Sequence, residues 1–254
     1  MLDNARKNVY TEIDEKNRNG RVKTMKKTCF YTEIAYVLGL FLLALGTALM
    51  ERSGFGLSMV VAPAYVLHLK MSAYLPFVSF GMASYTLQAL LLAVMMLLLR
   101  RAKISYLFSF VTAVLYGLIL DAAILLFSFV PVSDTLWLKV ILYAVGLWIS
   151  GMGLSFLFRT YISPEAYDLF VKEMSAAWKI RVDKFKTCYD CTSCLIAILL
   201  SLLFFGFPPL RGIGIGTVIC ALLNGTLIRL WSVFFEKRLN FQDAFPKLKR
   251  YFQL

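Results

Sequence analysis

The chain has 254 residues, 59% of them hydrophobic, and carries a formal net charge of +12. A soluble domain contains about 45–50% apolar residues, so the composition argues against a soluble globular protein. The basic excess would suggest nucleic-acid binding in a soluble protein, but the long apolar runs make membrane topology the better explanation.

The apolar pattern predicts six membrane spans after a polar amino-terminal segment. Residues 1–29 are predicted to form a basic cytoplasmic tail, without a cleavable signal peptide because residues 1–27 contain no apolar core. Each later run is near or above the ~20 residues that cross a ~30 Å hydrocarbon core. The predicted spans cover about 30–50, 73–99, 104–130, 136–158, 187–207 and 212–235.

The distribution of basic residues predicts the orientation of these spans. Most of the 27 basic residues fall in the tail, in residues 100–103, in the loop 159–186 and in the segment after residue 236. All four segments lie on one side of a six-span topology. Because basic segments stay in the cytoplasm, both termini are predicted to be cytoplasmic, and residues 237–254 form a second basic tail.

The loop after span four contains a predicted short helix. Ser163 is a favoured capping residue, Pro164 suits the first helical position, and Glu165 then falls in the first turn. Apolar residues recur at helical spacing further along this loop.

The loop after span one has a similar plan on the opposite side of the membrane. Gly54 and Gly56 suggest a hinge, and Ser58 or Ala62 could cap a short helix that starts close to Pro63. Two interpretations of the paired helices stay open. They enter the membrane and point their N-terminal NH groups inward, where such ends favour anions, or they lie flat on the membrane surface.

An internal repeat relates the two halves of the chain. Residues 35–52 resemble residues 142–159 at a constant offset, and residues 116–121 resemble 224–229 with a one-residue slip. The matched pairs include Tyr36 with Tyr143, Gly39 with Gly146, Gly46 with Gly153 and Arg52 with Arg159. Three spans per half place the halves in opposite orientations. The sequence therefore predicts an all-α membrane protein with two inverted three-helix repeats, residues 30–130 and 131–236.

Several motifs resemble one family of bacterial membrane proteins. They are GLSMVVAPAYVL at 56–67, the Pro164-Glu165 turn, Lys184-x-Lys186-x-x-Tyr189-Asp190, and Gly216-Thr217 through Asn224-Gly225-x-x-x-Arg229. In order and spacing they are similar to the YczE/YitT-like group over about residues 30–236. This chain departs from the closest branch, which often has Arg-Glu where Gly214 and Ile215 stand here, and Asn in span two near Gln88. The resemblance implies a bacterial inner-membrane location and supplies no reaction.

Polar and ionisable residues within or near the spans form the candidate site. A charge at the centre of a span costs about 2.5–3.5 kcal/mol on insertion scales, so such residues usually have a partner or a function. The predicted substrate-binding or coupling residues are Ser58, Gln88, Asp121, Glu165, Asp190, Asn224 and Arg229.

Structural explanations compete for each of these residues. Asp121 and Arg229 could be hydrated near the interface, or could form ion pairs: Asp121 with Arg52, and Arg229 with Asp190 or Glu165. Asp190 could be solvated or paired with another charge, and Glu165 could serve only the helix dipole. Interhelical hydrogen bonding would explain Gln88 and Asn224.

Enzyme and metal signatures are weak or missing in the sequence. Cys188, Cys191 and Cys194 have a C-x-x-C-x-x-C spacing, but the single histidine, His68, is predicted on the other side of the membrane. There is no HExxH, GxSxG or Walker-type motif, and the glycines at 212, 214 and 216 follow no strand. No catalytic activity, cofactor or bound metal is therefore expected.

The predicted function is that of a small secondary transporter or permease of unknown substrate in the bacterial plasma membrane. A substrate-capturing subunit of an ATP-driven importer, and a non-transporting protein that supports or regulates another complex, are the alternatives. The expected partners are the lipid bilayer and a small-molecule substrate, with no nucleic acid. A homo-oligomer or a membrane partner is compatible with each of these functions.

Overall fold

The computed structural model describes residues 28–56, 58–75, 77, 80–101, 103–129, 135–206 and 213–253. Nearly all of the predicted amino-terminal tail, the end of the predicted third span at residue 130, and Gly212 of the glycine-rich segment lie outside these residues. In chain order the elements are β1 (Thr28–Tyr31), α1 (Thr32–Ser53), α2 (Ala62–Met71), α3 (Phe80–Leu99), α4 (Ile104–Ser128), α5 (Leu136–Leu157), α6 (Ala166–Ala177), α7 (Val182–Phe205), α8 (Ile215–Arg238), β2 (Leu239–Gln242) and α9 (Pro246–Gln253).

Six of these helices are long and apolar enough to cross a membrane: α1, α3, α4, α5, α7 and α8. Many of their outward-facing side chains are large and hydrophobic, which suits contact with lipid rather than water. The prediction of an all-α, six-span membrane protein is confirmed, and the short helices α2 and α6 follow the first and fourth spans as expected. The protein is a multi-pass membrane protein.

The core of the bundle is an antiparallel crossing of α1 and α5, held close by glycines. A Cβ atom added to Gly46 would lie 2.6 Å from the Gly146 carbonyl oxygen and 2.5 Å from the Ser150 amide nitrogen. A Cβ added to Gly153 would lie 2.7 Å from the Gly39 carbonyl oxygen. Small residues allow backbones to approach in this way inside a membrane, so the α1–α5 contact is close backbone packing.

The same crossing has the internal symmetry that an inverted repeat requires. Gly46 meets Gly146 and Ser150, while Gly153 meets Gly39 and Leu43. Exchanging each residue for its counterpart 107 positions away turns the first set of contacts into the second. The hydroxyls of Tyr36 and Tyr143, another matched pair, also bond α4 and α8 respectively. These contacts support the inverted repeat, which itself stays a prediction.

Both short helices are wedged between spans. The helices α2 and α6 each pack against α3 and α7, and α6 also packs against α4. Ala64 and Val66 of α2, and Ala166 and Val171 of α6, are fully buried. A helix lying flat on a membrane would be covered by protein on one face at most. The structure therefore favours the interpretation in which both helices enter the bundle, from opposite ends because α1 and α5 are antiparallel.

The two predicted starts of the short helices need correction. The cap of α6 is Glu165 rather than Ser163, because the Ser163 hydroxyl donates instead to the Ser105 carbonyl at 2.8 Å. The cap of α2 is Val61, and Ser58 contributes its carbonyl oxygen to the turn before the helix.

A small parallel sheet joins the segment before the first span to the segment after the last span. The sequence does not predict this sheet. Strand β1 pairs with β2 in the register Thr28 to Leu239 and Tyr31 to Gln242. Beside it, Glu33 accepts hydrogen bonds from the Tyr161 hydroxyl at 2.7 Å and from two backbone amides that follow β2 at 3.1 Å. Part of the predicted carboxy-terminal tail is thus folded against the start of span one.

Candidate functional site

A cavity of about 400 Å³ lies inside the bundle, at the point where the two short helices begin. Residues from all six spans line it, together with the segments that open α2 and α6. Five of the seven predicted site residues are among them: Ser58, Gln88, Asp121, Glu165 and Asn224. The structure brings these five together, and their role in binding stays a prediction.

A buried lysine held by two carboxylates lies beside the cavity. The Nζ atom of Lys186 lies 2.9 Å from Asp168 Oδ1 and 3.0 Å from Asp190 Oδ1, and all three side chains are buried. Asp168 comes from the first turn of α6, where a negative charge suits the helix dipole. Asn224 donates from Nδ2 to Asp190 Oδ2 at 3.3 Å. One positive and two negative charges leave this cluster with a net negative charge.

The predicted residue Asp190 therefore belongs to this cluster rather than to the cavity wall. It is paired and fully buried, so of the two structural explanations the paired one holds and the solvated one does not. Lys186 and Asp168 both line the cavity, yet sequence reasoning assigned no role to either of them. The i,i+4 spacing of Lys186 and Asp190 on one helix is a signal that could have linked the lysine to the site.

A second polar group joins α3 to the start of α6. Gln88 donates from Nε2 to Glu165 Oε1 at 3.1 Å, although Gln88 lies in the middle of a membrane span. Burial and the nearby carboxylate of Asp168 raise the pKa of Glu165, which lies outside the six spans, to about 8. The Glu165 side chain makes no capping bond to its own helix. Its position is thus explained by the contact with Gln88 and by the cavity.

Two buried amide oxygens in this region have no hydrogen-bond partner among the residues that the structure describes. They are Oε1 of Gln88 and Oδ1 of Asn224, and both residues line the cavity. The amide nitrogens of the same side chains donate hydrogen bonds to Glu165 and Asp190 respectively. The oxygens are therefore the atoms left without a partner. Buried polar atoms are usually satisfied, so these two oxygens mark places for a donor.

The fold and this site permit a comparison with known families. The profile of a family of unknown function, DUF6198, matches residues 30–233, which is most of the chain. The chain belongs to the DUF6198 family. Neither a curated protein nor a solved structure matches the chain. The family description supplies no substrate and does not mention the YczE/YitT-like group, so the resemblance to that group stays a prediction.

Two further carboxylates line the more exposed part of the cavity. Asp121 of α4 and Glu51 near the end of α1 both line it, both are exposed, and they are close enough to interact electrostatically. Glu51 was missed by sequence reasoning because it adjoins Arg52 at the predicted end of a span.

Arg229 is the predicted site residue that the structure places elsewhere. It lies in an exposed groove between α7 and α8, opposite Asp183 and Thr187 of α7. Of the alternatives for Arg229, pairing with Asp190 or Glu165 is not found among the described residues, where these carboxylates contact Lys186 and Gln88 respectively. The physical reason is helical periodicity. Arg229 is five residues beyond Asn224, about 140° further around the helix.

The three cysteines of α7 differ in their surroundings. Cys188 is exposed, Cys191 is half-buried, and Cys194 is buried in an apolar cluster with Met50 and Tyr143. Within the described part of the chain, no group of three or more His, Cys, Asp or Glu side chains has a metal-binding arrangement.

Proposed function

We propose that this protein is a small secondary transporter of the bacterial plasma membrane, with both termini in the cytoplasm. The observation that carries the proposal is the cavity, which two short helices approach from opposite ends of the bundle. The segment that leads into α2 and the first turn of α6 contribute to its wall. A binding site between inverted halves, closed by interrupted or short helices, is a recurring plan in secondary transporters.

The packing of the short helices supports alternating access. Each is held between α3 and α7, on opposite sides of the cavity. A shift of α2 would open the cavity towards one side of the membrane, and a shift of α6 would open it towards the other. The proposed cytoplasmic orientation is supported by basic residues before α4, between α5 and α7, and after α8.

A single cysteine in the cavity tests this proposal. Gly117 lines the cavity, and a Cβ atom added there would meet nothing within 4 Å. We expect Gly117→Cys, in a background whose five native cysteines are replaced by alanine, to react with a membrane-impermeant methanethiosulfonate reagent. The reaction should occur in right-side-out and in inside-out vesicles, because a transporter exposes its site to each side in turn.

The neighbouring residue supplies a matched control. Leu118 is 63% exposed on the outer surface of the bundle and does not line the cavity. Leu118→Cys should react from neither side, since its thiol faces lipid. Reaction of Gly117→Cys from one side alone would contradict transport and favour a substrate-capturing subunit. No reaction from either side would favour a protein that supports another complex.

A further inference from the structure

The charge around the cavity favours a cation. Among the described residues that line it, Glu51, Asp121, Glu165 and Asp168 are acidic and Lys186 alone is basic. Lys186 is already engaged by Asp168 and by Asp190 behind it. The amino-terminal end of a helix favours an anion. At α6, the carboxylates of the helix's own first residues already supply that negative charge. This helix end therefore has a surplus of negative charge, which favours a cation rather than an anion.

Two buried amide side chains adjoin these carboxylates. Gln88 and Asn224 are only 2% and 3% exposed, and their oxygens need N–H or O–H donors. An ammonium group supplies the positive charge that the carboxylates need, together with N–H groups that donate to carboxylate oxygens. A metal ion would require a set of several converging ligands, and within the described part of the chain no group of three or more His, Cys, Asp or Glu side chains is arranged to hold one.

The rest of the cavity wall favours an apolar body on that cation. Met50, Met59, Leu120 and Ile124 contribute to the wall, together with the ring of Tyr116. Aromatic rings attract cations as well as apolar groups. A volume of about 400 Å³ is in the range of small-molecule sites.

We propose that the cavity binds an organic ammonium ion at Glu165, in exchange for the proton that this carboxyl group holds when the cavity is empty. On binding, the O–H bond of Glu165 breaks, the proton passes to water, and the carboxylate pairs with the ammonium group, so charge is conserved. The exchange of the two ions across a membrane rests on the proposed transport function. The binding competition does not depend on it.

The surroundings of Glu165 support this competition. The titratable groups near it are Asp168 and Tyr167 of α6, Lys186 of α7 and Tyr116 of α4, and Tyr85 of α3 lines the same cavity. Burial and Asp168 raise the pKa of Glu165 to about 8, against the opposing effects of Lys186 and Gln88. The empty site is therefore mostly protonated at neutral pH. Because the cation needs the ionised form, its affinity rises as the pH rises towards 8.

Calorimetric titration of the purified full-length protein in detergent tests the proposal. The probes are benzylammonium, benzyltrimethylammonium, whose charge is independent of pH, and the anion benzylsulfonate. We expect both cations to bind and the anion not to bind. The dissociation constant of benzyltrimethylammonium should fall about 50-fold between pH 6 and pH 8, as expected for competition with one proton at a pKa of about 8. Benzylammonium should bind about 2–10-fold more tightly, because its N–H groups can donate hydrogen bonds to the Glu165 carboxylate, which a quaternary ion cannot do.

Two variants separate the role of Glu165 from general effects of charge. Glu165→Gln should bind the cations more weakly and with less than about a twofold change between pH 6 and pH 8. The same substitution at Glu236, an exposed partner of Arg159 outside the cavity, should keep the full pH dependence. If Glu165→Gln fails to fold, the wild-type comparison of cation with anion, and its pH profile, still decide the result.

Three results would overturn the proposal: benzylsulfonate binding as tightly as the cations, no cation binding at pH 8, or unchanged pH dependence in Glu165→Gln. Tighter binding of the quaternary ion than of benzylammonium would contradict hydrogen bonding from the ammonium group to Glu165. The transport proposal can be rejected independently of the ligand proposal. Absence of cation binding with two-sided reaction of Gly117→Cys would reject the ligand class alone, whereas cation binding with one-sided reaction would reject transport alone.

Discussion

Lys186→Met should lower the free energy of unfolding in detergent by about 3–5 kcal/mol, the range found when one partner of a buried ion pair is removed. The substitution keeps most of the side-chain volume but leaves Asp168 and Asp190 buried without their shared cation. Chemical unfolding followed by tryptophan fluorescence would measure the loss. A change of less than about 1 kcal/mol would mean that the cluster is hydrated rather than buried.

Two further variants test whether the loss comes from uncompensated charge. Lys184→Met removes a neighbouring exposed lysine and should change stability by no more than about 0.5 kcal/mol. Adding Asp168→Asn and Asp190→Asn to Lys186→Met should recover much of the lost stability, because the remaining groups are then neutral. If the triple variant is less stable than Lys186→Met, packing rather than charge accounts for the effect.

Gly46→Val should destabilise the bundle by about 3 kcal/mol or more, at or above the usual cost of overpacking. Backbone atoms of Gly146 and Ser150 already lie 2.5–2.6 Å from the position of the new Cβ. Backbone cannot move aside as a flexible side chain does, so α1 and α5 must separate. Unfolding in detergent and the stability of the monodisperse peak on size-exclusion chromatography would report the damage.

The control for this substitution is another glycine within a span. Gly117 of α4 has open space where its Cβ would lie, so Gly117→Ala should be neutral or should stabilise the helix by about 0.5–1 kcal/mol. The inverted repeat adds a second expectation. Gly153→Val should lower the free energy of unfolding by about as much as Gly46→Val. The neighbours of Gly153 are the repeat counterparts of the neighbours of Gly46. Unequal costs, with one substitution tolerated, would argue against the repeat.

Much of the architecture could be predicted because membranes impose simple rules on sequence. A span must be long and apolar, so the six runs and their approximate bounds follow from composition alone. Gly39, Gly46, Gly146 and Gly153 could be singled out because they share a register, and the structure uses them at one crossing. Gln88 and Asn224 could be proposed for the site because amides are conspicuous in apolar helices.

The charged centre of the site could not be predicted in the same way. Lys186 and Asp168 stand in a segment rich in charges, which in sequence resembles an ordinary cytoplasmic loop. Their burial depends on α6 packing between α3 and α7, which is a tertiary event. Arg229 is the opposite case. Its position within an apolar run suggested a role, but the face of α8 on which it lies is set by packing against α5 and α7.

The pairing of β1 with β2 has a consequence for how the chain is inserted. Strand β1 directly precedes the first span and β2 directly follows the last, so the strands can meet only on the same side of the membrane. The chain must therefore cross the bilayer an even number of times before the pair can form. A nascent chain in which one span fails to integrate would hold its two ends in different compartments. The sheet can thus close only after the last span has been inserted, and only in a chain whose number of crossings is even.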